Sequence, residues 1–214
     1  PRNKAFTAEE MQIFLKGTEN TAYYYVWLIA FMTGFRRGEI LGLQWQDINN
    51  ENNSISLLRQ VYFDNGKVVI KPKLKTPGSS TNVVVMPLVI EAIKEYQALR
   101  KSFFAQLGLN INDSDLIFCH PDGSPLRPDT VTAAFKKAVV KCGLRKELTI
   151  HSTRHTFATI GSDFDINLKK LQQLLRHEDV TMTSSYIDKS RDETMRKEVN
   201  KINEAFSTLL NTSK

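Results

Sequence analysis

His151-Ser152-Thr153-Arg154-His155, then His177, then Tyr186 follow one another in the C-terminal third of this chain. Far upstream, Thr33-Gly34-Phe35-Arg36-Arg37-Gly38-Glu39 adds another arginine. Arginines, histidines and a tyrosine in this order suit chemistry at a phosphodiester. The planar arginine fork matches phosphate oxygens, histidine moves protons near neutral pH, and a tyrosine hydroxyl can attack phosphorus.

Each of these residues also has a plainer reading. His151 and Arg154 lie three apart near the start of an expected helix and share a face, as a capped helix start with solvated basic residues also would. His151 and His155 have the four-residue spacing of a zinc pair. No glutamate follows His151 and no third ligand is evident, so no metal is expected. Glu39 stands three residues after Arg36, well placed to orient it, yet an arginine beside a turn can equally cap carbonyls or make a surface ion pair. Lys71, Lys73 and Lys75 alternate along an expected strand and share one face. That face either tracks phosphates, with Lys75 reaching the reacting group, or is a solvated edge that blocks aggregation. Tyr186, nine residues after His177, can be an amphipathic tyrosine with its hydroxyl in water. Its company, not its type, singles it out. Tyr23, Tyr24, Tyr25, Tyr62 and Tyr96 lie in segments that read as core helix or strand.

The elements that must position these groups are mostly helical. Thr7-Ala8-Glu9-Glu10 is a capping box that opens a short helix over 8–16, with Met11, Phe14 and Leu15 inward. Residues 20–33 form a very apolar, buried helix that Gly34 breaks; Arg36 then starts a short helix ending near Leu43. Residues 54–58, 67–70 and 82–86 are β-branched and alternating and read as strands, with Pro77-Gly78-Ser79-Ser80 the turn between the last two. Pro87 begins a long helix ended by Gly108, with Val89, Ile93, Tyr96, Phe103 and Leu107 as its apolar stripe. Pro128 begins another, with Val131, Phe135 and Val139 on one face and Gly143 beyond its end. Helices near 152–162, 168–175 and 180–186 follow, then a charged one over 190–210. The expected fold is mainly α with one small antiparallel β-sheet (α+β).

Composition narrows the class further. A chain of 214 residues buries a proper core, as one large domain or two small ones. No apolar run reaches the length of a membrane span and no signal peptide opens the chain. Cys119 and Cys142 make neither a metal cluster nor a disulfide framework, which points to reduced thiols and a cytoplasmic setting. The formal charge of +6 is compatible with a nucleic-acid partner without demanding one. The chain starts at Pro1-Arg2-Asn3-Lys4 without an initiator methionine, so the expectation is a main domain over 1–189 and a C-terminal helical tail over 190–214, with other domains missing.

Taken together, the motifs resemble the catalytic domain of the tyrosine recombinase, or phage integrase, family. The segment 33–39, followed by Leu41, Leu43, Trp45 and Asp47, resembles its first arginine box. Leu74-Lys75-Thr76 before the strand at 83–86 resembles the segment of its hairpin lysine. His151-Ser152-Thr153-Arg154-His155-Thr156-Phe157-Ala158-Thr159 resembles the second box, and Leu174-Leu175-Arg176-His177 with Tyr186 resembles its end. Each box alone is weak; four in this order, from about residue 6 to 186, are highly specific.

The resemblance implies roles. Arg36 and Arg154 would bind the non-bridging oxygens of a scissile DNA phosphate and stabilise its transition state. Tyr186 would be the nucleophile, forming a 3′-phosphotyrosyl bond and freeing a 5′-hydroxyl that Lys75 protonates. His151 would act as general base and then acid, His177 would hydrogen-bond the phosphate, and Glu39 would hold the site in shape. Lys71, Lys73, Arg37 and Arg176 would contact DNA. Neither metal, ATP nor other cofactor is implied. Double-stranded DNA, three further copies of the protein in a tetramer on that DNA, and accessory bending or excision factors are the implied partners; a membrane is not.

The chain departs from the family pattern in two places. Ser152-Thr153 replaces a common Asp-Leu, and Arg176 replaces the usual glycine before the last histidine. Lys73 also competes with Lys75 for the acid role; Thr76 after Lys75 favours the latter. In the tail, Met195, Val199, Ile202, Phe206 and Leu209 form a narrow seam that suits docking on a neighbouring subunit or on its own domain. An integrase of a mobile element is the leading expectation. Alternatives are a chromosome-dimer resolvase, a type IB topoisomerase-like strand transferase, and a DNA-binding protein without activity.

Overall fold

The computed structural model of the chain describes residues 4–72, 82–164, 174–175 and 189–211. The turn at 77–80, the helix at 180–186 and, apart from Leu174 and Leu175, the helix at 168–175 fall outside them, as do Lys73, Lys75, Arg176, His177 and Tyr186.

Helix α1 (Ala8–Thr18) starts at the capping box read from the sequence. The Thr7 hydroxyl accepts from the Glu10 N–H at 3.1 Å, and the Glu10 carboxylate accepts from the Thr7 N–H at 2.8 Å. Helix α2 (Tyr24–Thr33) is apolar around its whole circumference because it runs through the middle of the core, where Val26 to Thr33 are all buried. Phe14 of α1 meets Trp27 of α2 at a ring separation of 5.3 Å and Phe135 at 4.6 Å, and Phe6 meets Phe31 at 5.0 Å. Phe135 belongs to α5 (Pro128–Lys141), so one aromatic cluster joins three helices.

The short helix α3 (Arg37–Leu41) follows α2 directly. Five strands come next among the described residues: β1 (Ile48–Asn49), β2 (Ser54–Ser56), β3 (Arg59–Asp64), β4 (Lys67–Pro72) and β5 (Asn82–Val84). They form two antiparallel sheets, β1-β2-β5 and β3-β4, where the sequence suggested one. The segments at 67–70 and 82–86 are therefore not partners of each other: β4 pairs with β3, and β5 pairs with β2 through Ile55↔Val83. The reason is the two-residue turn Asn65-Gly66, with φ of 47° and 78°, which folds β4 straight back on β3. The hairpin lies against α3 with almost no space between backbones. A Cβ on Gly38 would stand 2.7 Å from the Val61 carbonyl oxygen.

Helix α4 (Pro87–Gln106) buries Val89, Ile93 and Phe104. Phe103 and Leu107, expected on the same stripe, are 43% and 51% exposed. The buried line continues from Ile93 through Arg100 to Phe104, and Phe103 sits about 100° around the helix from it. Helix α6 (Ile150–Asp163) packs on α2. Helix α7 (Lys189–Asn211) contacts α1, α4, α6 and β5. Val199, Ile202 and Phe206 are buried, and Met195 and Leu209 pack against the same core. The Asn203 side-chain oxygen Oδ1 accepts from the Leu88 N–H at 3.2 Å in the first turn of α4, one of the N–H groups that a helix start leaves without an internal partner. Among the described residues no helix is long and apolar enough to cross a membrane.

Two predictions follow from the packing. Arg145 grips Glu10 through Nε at 2.6 Å and Nη2 at 2.9 Å. These bonds hold the Glu10 carboxyl below its ordinary value, against the opposing effect of burial. A depressed folded-state value stabilises the fold above the ordinary carboxylate range and stops doing so as the pH falls through it. Glu10→Gln should cost roughly 1 kcal/mol at pH 7, after solvent screening of the exposed arginine edge. In thermal melts its gap to the parent should close as the pH falls below the ordinary carboxylate range and through the lowered Glu10 value. Gly38→Ala should cost roughly 1–3 kcal/mol in urea unfolding, because the added methyl meets a backbone oxygen that cannot swing away.

Candidate active site

Arg36 is the residue before α3, with extended backbone (φ −68°, ψ 143°) that turns the chain into the helix. Glu39 is fully buried in the first turn. Its Oε2 accepts the Arg36 N–H at 3.0 Å, and its Oε1 lies 3.9 Å from Arg36 Nη1. One carboxylate thus fixes both the start of the helix and the side of it on which the 38%-exposed Arg36 guanidinium lies. Behind α3, buried Asp47 accepts the Gln44 N–H at 2.8 Å and the Arg59 guanidinium at 2.6 Å. That pair ties the loop after α3 to β3.

Arg154 lies in α6 and is only 6% exposed. Its Nη1 donates to the carbonyl of Gly34 at 2.6 Å, and its Nη2 donates to the carbonyl of Leu175. Residues 34, 154 and 175 therefore meet at one guanidinium, although 120 residues separate the first two. Gly34 is required here twice over. Its φ of +63° ends α2 in the left-handed conformation, and a Cβ would stand 2.7 Å from the Leu175 side chain and 3.2 Å from the Phe157 ring. Arg36 follows two residues later, so the clamp that fixes Arg154 also fixes the approach to Arg36.

The start of α6 carries the histidines. His151 is exposed, one turn ahead of Arg154, and its ring meets that of His155 edge to face with centroids 5.0 Å apart. Ser152-Thr153 supplies local hydrogen bonds. The Ser152 hydroxyl accepts the Thr149 N–H at 3.1 Å, and the Thr153 hydroxyl donates to the Ile150 carbonyl at 2.8 Å. Thr156 accepts the Phe6 N–H at 2.9 Å and so ties the start of the chain to α6.

The structure thus places Arg36 and Glu39 at the start of α3 and His151 and Arg154 on α6, with Arg154 tied to Gly34, two residues before Arg36. Lys71 lies on the exposed face of β4, 3.9 Å from Asp64 and over the ring of Tyr62 at 5.7 Å. Arg37 turns the other way. It is half-buried against α5 and donates to the Thr132 hydroxyl; its Nε is buried without a hydrogen-bond partner among the described residues, and burial pulls its pKa down. Tyr62 is 44% exposed, not part of the core as its segment suggested. Sequence reasoning missed Gln60, whose Nε2 donates to Glu39 Oε1 at 3.4 Å, and the Asp47–Arg59 pair. The Asn65-Gly66 turn was the signal that would have revealed β3 and both of these partners.

A guanidinium fixed in plane by two carbonyls, beside a second arginine steered by a buried carboxylate, is suited to holding an oxyanion. The chain is 27% identical over 195 residues to the tyrosine recombinase XerC-like protein of Caldanaerobacter subterraneus subsp. tengcongensis, covering 85% of this chain and 49% of that protein. It is 24% identical over 157 residues to the integrase of Staphylococcus phage L54a, covering 72% and 44%. The chain therefore spans about half the length of these relatives. Among solved structures, the integrase of transposon Tn1549 in complex with transposon right end DNA matches 90% of this chain and 65% of its own, with a TM-score of 0.69 at 24% identity. XerA recombinase matches 96% and 65%, with a TM-score of 0.59 at 19% identity. Both show the same fold. Residues 4–193 match the phage integrase family, and this chain belongs to that family.

Proposed function

We propose that the protein containing this chain is a site-specific DNA recombinase that cleaves and rejoins DNA through a 3′-phosphotyrosyl intermediate, integrating or excising a phage or other mobile element. One observation carries the reading. Arg154 draws the first arginine segment and the segment leading to His177 together at a buried cation. In this reading Arg154 and Arg36 bind the non-bridging oxygens of the scissile phosphate, and Glu39 keeps Arg36 on the phosphate side. Tyr186 attacks phosphorus, His151 accepts its proton, His177 hydrogen-bonds a phosphate oxygen, and Lys75 protonates the departing 5′-oxygen. Atoms and charge balance without external energy: the phosphodiester is exchanged for a phosphotyrosyl ester, and a second 5′-hydroxyl later reverses the exchange. Lys71, Lys73, Arg37 and Arg176 contact the duplex. Four copies assemble on paired sites, with accessory DNA-bending or excision factors setting direction.

The test is a nicked suicide substrate carrying the attachment site, incubated with the full-length protein in chelator and resolved on denaturing gels. The parent protein should form a covalent adduct and Tyr186→Phe should form none. Arg154→Lys should slow adduct formation by roughly 100-fold or more, because lysine cannot span two carbonyls and a phosphate at once. Tight DNA binding with no adduct from the parent would instead identify a DNA-binding protein without activity. Relaxation of DNA lacking any specific site would identify a topoisomerase-like enzyme.

A further inference from the structure

The β3–β4 hairpin has one face that the site described above does not explain. Strand pairing places Gln60 opposite Lys71, Tyr62 opposite Val69 and Asp64 opposite Lys67, all on that face. The Tyr62 hydroxyl donates to Gln60 Oε1, and Gln60 Nε2 donates to Glu39 Oε1 at 3.4 Å. Glu39 in turn holds Arg36 through the 3.0 Å bond to its N–H and the 3.9 Å approach to its guanidinium. The direction of this line is set by chemistry. Glu39 Oε1 accepts, so Gln60 turns its NH2 toward it. Its carbonyl then faces Tyr62, and the phenol must donate. Bonds aligned in one direction polarise one another and strengthen the group at the end of the line.

Docking of the hairpin does not require this line. The hairpin is already held by Arg59 on Asp47, by Val61 against Gly38, and by the Arg127 guanidinium stacked 4.1 Å over the Phe63 ring. Glu39, by contrast, is buried and reaches Arg36 both at its N–H and, at 3.9 Å, at its guanidinium, so the orientation of the carboxylate bears on where the guanidinium points. We infer that Gln60 and Tyr62 are positioning residues for Arg36, acting through Glu39. The outer end of the line is exposed beside Lys71, so DNA lying on the hairpin reaches the Arg36 guanidinium through three side chains. This inference rests on the recombinase reading.

The test is Tyr62→Phe in the full-length protein, measured as the rate of adduct formation at saturating suicide substrate and, separately, as DNA affinity. The ring and its contact with Lys71 stay, and only the hydroxyl is lost. The expected result is a rate lowered roughly 3- to 10-fold, the worth of one hydrogen bond, with Kd changed less than about twofold and Tm unchanged. In a Glu39→Gln background, where the line no longer ends on a carboxylate, Tyr62→Phe should add no further loss. An unchanged rate, a loss confined to Kd, or an equal loss in both backgrounds would overturn the inference while leaving the recombinase reading intact. A parent protein that forms no adduct would remove both, since no reaction would remain for Arg36 to serve.

Discussion

A guanidinium kept almost entirely from water must find hydrogen-bond acceptors, because an unsatisfied buried cation costs several kcal/mol. Arg154 meets that requirement with the carbonyl oxygens of Gly34 and Leu175. Backbone carbonyls cannot rotate away as side chains do, so satisfying this one cation fixes three distant parts of the chain relative to each other. The arginine is thereby held in a single orientation before any ligand arrives, the preorganisation that electrostatic catalysis requires.

The rest of the fold supplies the positions of those two carbonyls. The all-apolar α2 is locked in the centre of the core, so its left-handed end at Gly34 is placed by packing. Phe157, three residues after Arg154 on α6, packs on that same glycine, which ties the pitch of α6 to the end of α2. Phe157 also faces Phe206 of α7 at a ring separation of 6.3 Å, so the C-terminal helix braces α6 from behind. Beyond Gly34 the chain passes directly into Arg36 and α3, and β3 presses on α3 through Gly38. A second tier of charge pairs then sets finer detail: Glu39 steers Arg36, and Asp47 with Arg59 closes the loop behind it.

Much of this was legible in the sequence because it is written in local chemistry. The Thr7–Glu10 box, the break at Gly34 and the prolines at the starts of α4 and α5 each act within one helical turn. Arg36, Glu39, His151 and Arg154 were picked out by type and spacing; Glu39 lies against Arg36, and Arg154 reaches the carbonyl of Gly34 just before it. What stayed hidden depends on partners far away in the chain. The acceptors of Arg154 are backbone atoms, which every residue carries and no motif marks. The split into two sheets turned on which strand β4 would pair with, and the short-range Asn65-Gly66 signal decided it over the β-branched run at 82–86. The stripe of α4 failed at Phe103 because two adjacent phenylalanines compete for one inward position, and only the packed core shows that Phe104 takes it.

The most direct measurement is an experimental structure of the full-length Tyr186→Phe protein bound to an intact attachment site before cleavage. The account predicts that Arg154 keeps its bonds to the Gly34 and Leu175 carbonyls while another edge of the same guanidinium contacts the scissile phosphate, with Arg36 on a second oxygen of that phosphate. A phosphate lying away from Arg154, or a guanidinium that must release both carbonyls to reach it, would contradict the claim that this buried clamp is the preformed phosphate site.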